Sequence, residues 1–283
     1  MMMQDLQART PTWCPGCGNY GIWAALKNTL VKLGWGPEQF VIVYGVGCSG
    51  NMTDFVKSHG FHSLHGRAIP NAIGIKLANH KLKVICVVGD GDFYGEGGNH
   101  FLHAVRGNHD ICVIVHDNRV YGLTTGQTAP TSPKGFISKS TPSGVIEQEI
   151  NGLSIAIVQG ASFVARGYAG DVPHLSTIFE KTLQHKGFSL VDVLQPCVTF
   201  NKVNTYQFYQ QKVFKLETSE HKINDKAEAL KQTVVQTDKI PIGVIYQEEK
   251  LAYHEEVAVL KEIPLVDQPV KSPDLRDIWQ SLS

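Results

Sequence analysis

Short, nearly continuous apolar runs alternate with helical stretches over the first two-thirds of the chain. Phe40–Tyr44, Lys83–Val88, Ile111–His116, Ser162–Ala165 and Ser189–Leu194 are rich in Val and Ile. Runs of this length predict strands covered on both faces of a parallel sheet. Between them, Tyr20–Leu33 carries Ile22, Leu26, Leu30 and Leu33 at helical spacing and stops at Gly34. His100–Arg106 predicts a short helix after a glycine-rich loop. Pro173–His185 sets Leu175, Ile178, Phe179 and Leu183 on one stripe, with Asp171 as a cap near its start. Strands alternating with helices predict an α/β domain with a doubly wound, mainly parallel sheet within residues 1–200. Beyond Phe200 the pattern changes. Charge clusters appear at Gln247–Lys250 and His254–Glu256, with one further strand-like run at Ile240–Tyr246 and a helix predicted over Asp225–Val235. Residues 201–283 therefore read as an extension packed on the domain or on a partner.

The 283 residues carry 26 Lys+Arg against 26 Asp+Glu, a formal net charge of zero. That balance removes the general electrostatic case for nucleic acid or a membrane surface. No apolar run approaches the roughly 18–20 residues that span a bilayer. The opening MMMQDLQART lacks the apolar core of a secretory signal, so a cytoplasmic protein is expected. There are six cysteines, two of them in Cys14-Pro15-Gly16-Cys17. In a long chain read as cytoplasmic, such a pair points to metal ligation or redox chemistry rather than to disulfides.

Ligands of open α/β sheets gather beyond the carboxyl ends of the strands. The Phe40–Tyr44 run leads into Gly45-Val46-Gly47-Cys48-Ser49-Gly50. Lys83–Val88 leads into Gly89-Asp90-Gly91-Asp92, and Ile111–His116 into Asp117-Asn118-Arg119-Val120-Tyr121-Gly122. Ser189–Leu194 leads into Gln195-Pro196-Cys197. A carboxylate at Asp90 and an amide oxygen at Asn118 are hard ligands suited to Mg²⁺, which shares phosphate oxygens. The flanking glycines allow the backbone to approach a diphosphate closely. Gly-Asp-Gly alone is a common turn; its pairing with Asp117-Asn118 after the next strand makes it specific. This pattern resembles the diphosphate-binding motif of thiamine diphosphate enzymes. The resemblance implies Mg²⁺ held by Asp90, Asn118 and the main-chain carbonyl of Val120.

Cys86 and Cys112 lie inside apolar runs and read as core residues. Cys14, Cys17, Cys48 and Cys197 are left, two in a tight loop and two after strands. Four converging thiolates can hold a tetrahedral Zn²⁺ or an iron–sulfur cluster, and counting cysteines does not choose between them. His59, His62 and His65 recur every third position, but Gly60 and Gly66 indicate an irregular loop rather than a metal site. A loop lining a cofactor or substrate pocket is the reading preferred for this stretch, in which Arg67 could pair with a phosphate or a carboxylate. Thr124 and Thr125 offer hydroxyls, and Gln127 an amide, to phosphate or substrate oxygens.

Taken together, Thr12–Asn19, Gly45–Ser49, His65–Ala68, Gly89–Asp92, Gly98–His100 and Asp117–Gln127 resemble the β subunit of 2-oxoacid:ferredoxin oxidoreductases over nearly the whole chain. The resemblance implies a 4Fe-4S cluster on Cys14, Cys17, Cys48 and Cys197. It implies a thiamine diphosphate site that includes Gly47, Cys48, Ser49, His65, Gly66, Arg67, Gly89, Asp90, Gly91, Asp92, Asn118, Val120, Tyr121, Gly122, Leu123 and Thr124. Leu123 is implied as an apolar support for the bent cofactor. The implied reaction is the reversible, coenzyme A-dependent oxidative decarboxylation of a 2-oxoacid, with electrons passed to ferredoxin. The Trp13–Asn19 opening looks closer to the 2-oxoglutarate and broad-specificity branch than to the pyruvate branch. The glutamate that activates the cofactor in thiamine enzymes has no place in one α/β unit, so it is expected from an α subunit, in an (αβ)2 assembly. The alternatives are a non-redox thiamine decarboxylase or carboligase half with a structural zinc, and a non-enzymatic metal scaffold.

Overall fold

The computed structural model describes residues 3–234, 238–269 and 275–282. Its strands are β1 (Phe40–Tyr44), β2 (His59–His62), β3 (Lys83–Gly89), β4 (Cys112–Asp117), β5 (Val120–Tyr121), β6 (Gln127–Thr128), β7 (Phe163–Tyr168), β8 (Ser189–Leu194), β9 (Val213–Lys215) and β10 (Ile240–Gln247). Eight of them form one sheet in the order β2-β1-β3-β4-β8-β7-β10-β9; β5 and β6 form a separate short hairpin. Every pairing in the large sheet is parallel except that of β10 with β7. The helices that cover it include α1 (Asn19–Leu33), α2 (Ala68–Ala78), α3 (Gly98–Arg106), α4 (Gly152–Gln159), α5 (Val172–Gln184), α6 (Tyr206–Lys212) and α7 (Lys226–Thr233). The expected α/β class and mainly parallel sheet are thus both present.

Side chains alternate between the two faces of a strand, and both faces here are apolar. Phe40, Ile42 and Tyr44 join one core with Ile22, Leu26 and Leu30 of α1 and with Leu175, Ile178 and Phe179 of α5. Val41 and Val43 join the opposite core with Ala68 and Ile69 of α2, Phe101 and Ala104 of α3, and Leu153 and Ile157 of α4. Cys112 belongs to the first core and Cys86 to the second, so both are strand packing. Gly34 closes α1 at φ 68°, a left-handed conformation that favours glycine. Asp171 caps α5 by accepting from His174 N at 3.1 Å.

Several elements differ from the sequence expectation for physical reasons. Residues 59–62, read as part of a loop, pair in parallel with β1 as an exposed edge strand. Helices α2 and α4 are so uniformly apolar that they show no polar stripe. Pro70 is tolerated because it falls in the first turn of α2. Asn151 starts α4 by accepting from Ser154 N, and Gly160 ends it at φ 99°. Strand β7 runs three residues past Ala165 because Arg166 is buried with its guanidinium satisfied by the carbonyls of Gln232, Thr233 and Pro241.

The segment after residue 200 is partly integral to the sheet, since β9 and β10 extend it beyond β7. The helix expected over 225–235 is α7, capped by Asp225; Val235 lies outside the described residues. No helix among the described residues is long and apolar enough to cross a membrane.

Candidate active site

The four strand ends singled out in the sequence belong to β1, β3, β4 and β8, which are consecutive parallel neighbours. Their carboxyl ends therefore open on one edge of the sheet, and a cleft lies there. Its wall contains Gly47, Cys48, Ser49, His65, Gly89, Asp90, Gly91, Asp92, Asn118, Val120, Tyr121, Gly122, Leu123 and Thr124. Of the predicted set, Gly66 and Arg67 do not form this wall. Gly66 N donates to Asp92 Oδ1 at 2.8 Å. Arg67 is exposed and lies back on the carbonyls of Gly66 and Glu96, at 3.0 and 3.1 Å.

Asp90 and Asn118 directly follow the adjacent strands β3 and β4 at this edge. Asp90 Oδ2 accepts from Arg119 N at 2.8 Å and from the Thr131 hydroxyl. Asn118 Oδ1 accepts from Val120 N at 3.0 Å, and its carbonyl accepts from Asn201 Nδ2 at 3.1 Å. Arg119 adopts φ 62°, which turns the chain sharply into the β5–β6 hairpin. Ser132 holds that turn by donating to Arg119 O at 2.6 Å. Burial, with the Asp117 carboxylate beside it, holds the Asp90 carboxyl well above its usual range. Such a group favours either a proton or a cation. Two glycines and a buried carboxylate–amide pair fit a Mg²⁺–diphosphate group.

A second acid, Asp92, is also buried. It accepts from Val46 N and Gly66 N and contacts His65 Nδ1 at 2.6 Å, which fixes that ring at the rim of the cleft. The Tyr121 hydroxyl donates to Gly91 O at 3.3 Å. Leu123 and Thr124 are exposed on the hairpin, where Thr124 donates to Gln127 Oε1 at 2.6 Å.

The four predicted thiols converge next to this cleft. A Cβ built on Gly122 would lie 3.5 Å from Cys48 Sγ, 3.9 Å from Cys197 Sγ and 4.0 Å from Asn118 Nδ2. Cys48, Cys197 and Asn118 therefore all face the space that a side chain at Gly122 would take. Burial pushes the Cys17 thiol up to about 12, with Cys197, Cys48 and Cys14 adding to the rise. Cys48 is pushed up to about 11 by burial, then by Cys197 and Cys14. Four thiolates can share this space only around a cationic centre, and the donor set suits a multi-iron cluster. Among the described residues, no three His, Cys, Asp or Glu side chains stand where they could hold one metal ion.

The structure adds residues that sequence reading passed over. His116 lies in the cleft wall, buried, with Nδ1 2.8 Å from Asn19 Oδ1 and Nε2 unpartnered; burial pulls it down to about 3. Thr131 and Asn201 reach the metal-type ligands from distant loops. Gln195 packs under Cys17.

A mainly parallel α/β sheet whose edge joins a carboxylate–amide pair to a glycine-lined cleft defines a thiamine diphosphate-binding subunit. Residues 45–193 match the family described as thiamine pyrophosphate enzyme, C-terminal TPP binding domain, and residues 197–262 match the family for the C-terminal part of the pyruvate ferredoxin oxidoreductase beta subunit. The chain is 43% identical over 279 residues to the 2-oxoacid:ferredoxin oxidoreductase subunit beta of Saccharolobus solfataricus, covering 94% of this chain and 92% of that one. It is 42% identical over 191 residues to the 2-oxoglutarate synthase subunit KorB of Archaeoglobus fulgidus, covering 68% and 71%. A solved 2-oxoglutarate:ferredoxin oxidoreductase from Magnetococcus marinus, with 2-oxoglutarate, coenzyme A and succinyl-CoA bound, superposes with a TM-score of 0.92 at 32% identity. The match covers 100% of this chain and 96% of that one. The chain belongs to the β subunits of the 2-oxoacid:ferredoxin oxidoreductases.

Proposed function

We propose that this chain carries the thiamine diphosphate and 4Fe-4S cluster of a 2-oxoglutarate:ferredoxin oxidoreductase, forming succinyl-CoA and CO2 reversibly in a cytoplasmic (αβ)2 complex. The observation that carries the reading is the meeting, at Gly122, of Asn118 with Cys48 and Cys197. Relatives named for 2-oxoglutarate support the substrate, as does the solved relative with that acid bound. Bound thiamine diphosphate would supply the carbanion chemistry of decarboxylation. The residues of this chain hold and orient. Asp90, Asn118 and the Val120 carbonyl would ligate Mg²⁺, and Asp92 fixes His65 at the rim. Cys14, Cys17, Cys48 and Cys197 would hold the cluster.

No activating glutamate is assigned within this chain, so an α subunit is expected to supply it, together with coenzyme A and substrate contacts. The purified single chain is expected to show no turnover. The complex with its partner is expected to reduce viologen with 2-oxoglutarate plus coenzyme A, at least about tenfold better in kcat/KM than with pyruvate, a difference of about 1.4 kcal/mol. Turnover by the single chain, or a preference for pyruvate, would count against the proposal.

Gly91 offers a sharper check of the cleft. A Cβ there would lie 2.4 Å from the Tyr121 ring, well inside contact distance. Gly91→Ala is expected to displace Tyr121 and weaken thiamine diphosphate binding at least about tenfold. Titration calorimetry with Mg²⁺ present measures this, and circular dichroism verifies that the fold is kept.

A further inference from the structure

We propose that Gln195 is a positioning residue for electron transfer: its buried amide donates to Cys17 Sγ and raises the reduction potential of the cluster those thiols hold. The inference rests on the cluster reading above. Gln195 is 1% exposed, and its Nε2 lies 3.4 Å from Cys17 Sγ and 3.0 Å from Pro196 O. Both neighbours are acceptors, so the nitrogen, not the oxygen, must face them. The Oε1 atom is left buried without a partner. An unpartnered buried carbonyl is a cost to folding that an apolar side chain of similar size would avoid.

The surrounding backbone is shaped to admit this amide. A Cβ on Gly18 would come within 2.8 Å of Gln195 Cγ and 3.0 Å of Pro196 Cδ. Gly18 N donates to Pro196 O at 3.1 Å, and Gln195 N donates to Asp117 O at 2.9 Å. These bonds join the Cys14–Cys17 loop, the Cys197 loop and β4 around one side chain. Asn19 N–H is a second donor to Cys17, and Asn19 is itself held by His116.

Hydrogen bonds to cluster sulfurs tune the potential. Held by these cysteines, a cluster would supply one-electron transfer between the oxidation of the 2-oxoacid and ferredoxin. In that electron transfer itself no bond is made or broken, and the amide proton stays on Gln195. The added negative charge is shared by the cysteine sulfurs, so an N–H pointed at Cys17 favours the reduced state.

The test is a redox titration of the αβ complex, followed by electron paramagnetic resonance. Gln195→Leu is expected to keep its iron and lower the midpoint. The reduced-to-oxidised ratio at fixed poise should fall about threefold, which is about 28 mV at 59 mV per tenfold change for one electron. An unchanged midpoint with iron retained would overturn the inference. If the variant fails to assemble its cluster, wild-type complex labelled with ¹⁵N in glutamine amides decides. Hyperfine coupling of that nitrogen to the reduced cluster is expected, and its absence overturns the inference. Wild-type complex without iron would overturn the cluster reading itself, which is a separate outcome.

Discussion

Asp90→Asn is expected to abolish Mg²⁺-dependent binding of thiamine diphosphate while leaving the ligand-free protein at least as stable as before. Asp90 is 2% exposed, and the Asp117 carboxylate stands close enough to raise its affinity for a proton further. A buried carboxylate without a cation is a cost to folding. Asparagine keeps an oxygen for Arg119 N and Thr131, so the hairpin turn survives, and it removes the buried charge. It also replaces a strong hard ligand with a neutral one beside Asn118, leaving no anionic partner for Mg²⁺ at that position. Saturating Mg²⁺ and thiamine diphosphate at 100 times Kd should stabilise the wild type by about 2.7 kcal/mol. In chains somewhat shorter than this one, each kcal/mol moves Tm by about 2–4 °C. Calorimetry of both proteins with and without ligands measures the effect. A variant that still gains the wild-type shift would remove Asp90 from the metal site.

Cys197→Ser is expected to lose most of the iron and at least about a hundredfold of viologen reduction, a barrier of about 2.7 kcal/mol. It is expected to keep thiamine diphosphate affinity within about threefold, less than 0.7 kcal/mol. The two effects separate because Cys197 is not part of the cleft wall, whereas Cys48 belongs to the cleft and to the thiol group alike. Cys48→Ser should therefore damage both properties. Cys112→Ala is the control: its thiol sits in the strand core, so iron content should be unchanged despite a loss of stability. Iron lost from Cys112→Ala but kept in Cys197→Ser would reverse the assignment of structural and ligand cysteines.

Much of this site was legible because its chemistry sits where strands end. The runs Phe40–Tyr44 and Ser189–Leu194 match β1 and β8 to the residue, and the groups that follow them need only sheet order to meet. The elements that were not legible carry weaker local signals. In α2 and α4 a uniformly apolar surface hides the helical period. Strand β2 is four exposed residues, His59–His62, whose pairing with β1 depends on tertiary register. At the site, Asp90 and Asn118 announced themselves through spacing, whereas Thr131 reaches Asp90 across 41 positions with no motif around it. His116 looked like the end of a strand, and only its unpartnered Nε2 in the cleft wall marks it. Arg67 shows the opposite lesson. It stands within a matching segment, yet the Gly66 and Glu96 carbonyls hold it outside the cleft wall.

The central claim is that one sheet edge unites a diphosphate-binding cradle with a cluster of four thiolates. The most direct measurement is iron, acid-labile sulfide and thiamine analysis of the αβ complex purified without oxygen, with its visible spectrum. The account predicts about four iron and four sulfide per β chain, one thiamine diphosphate, and a broad visible absorbance that bleaches with dithionite. A colourless complex carrying zinc on the same cysteines would contradict it.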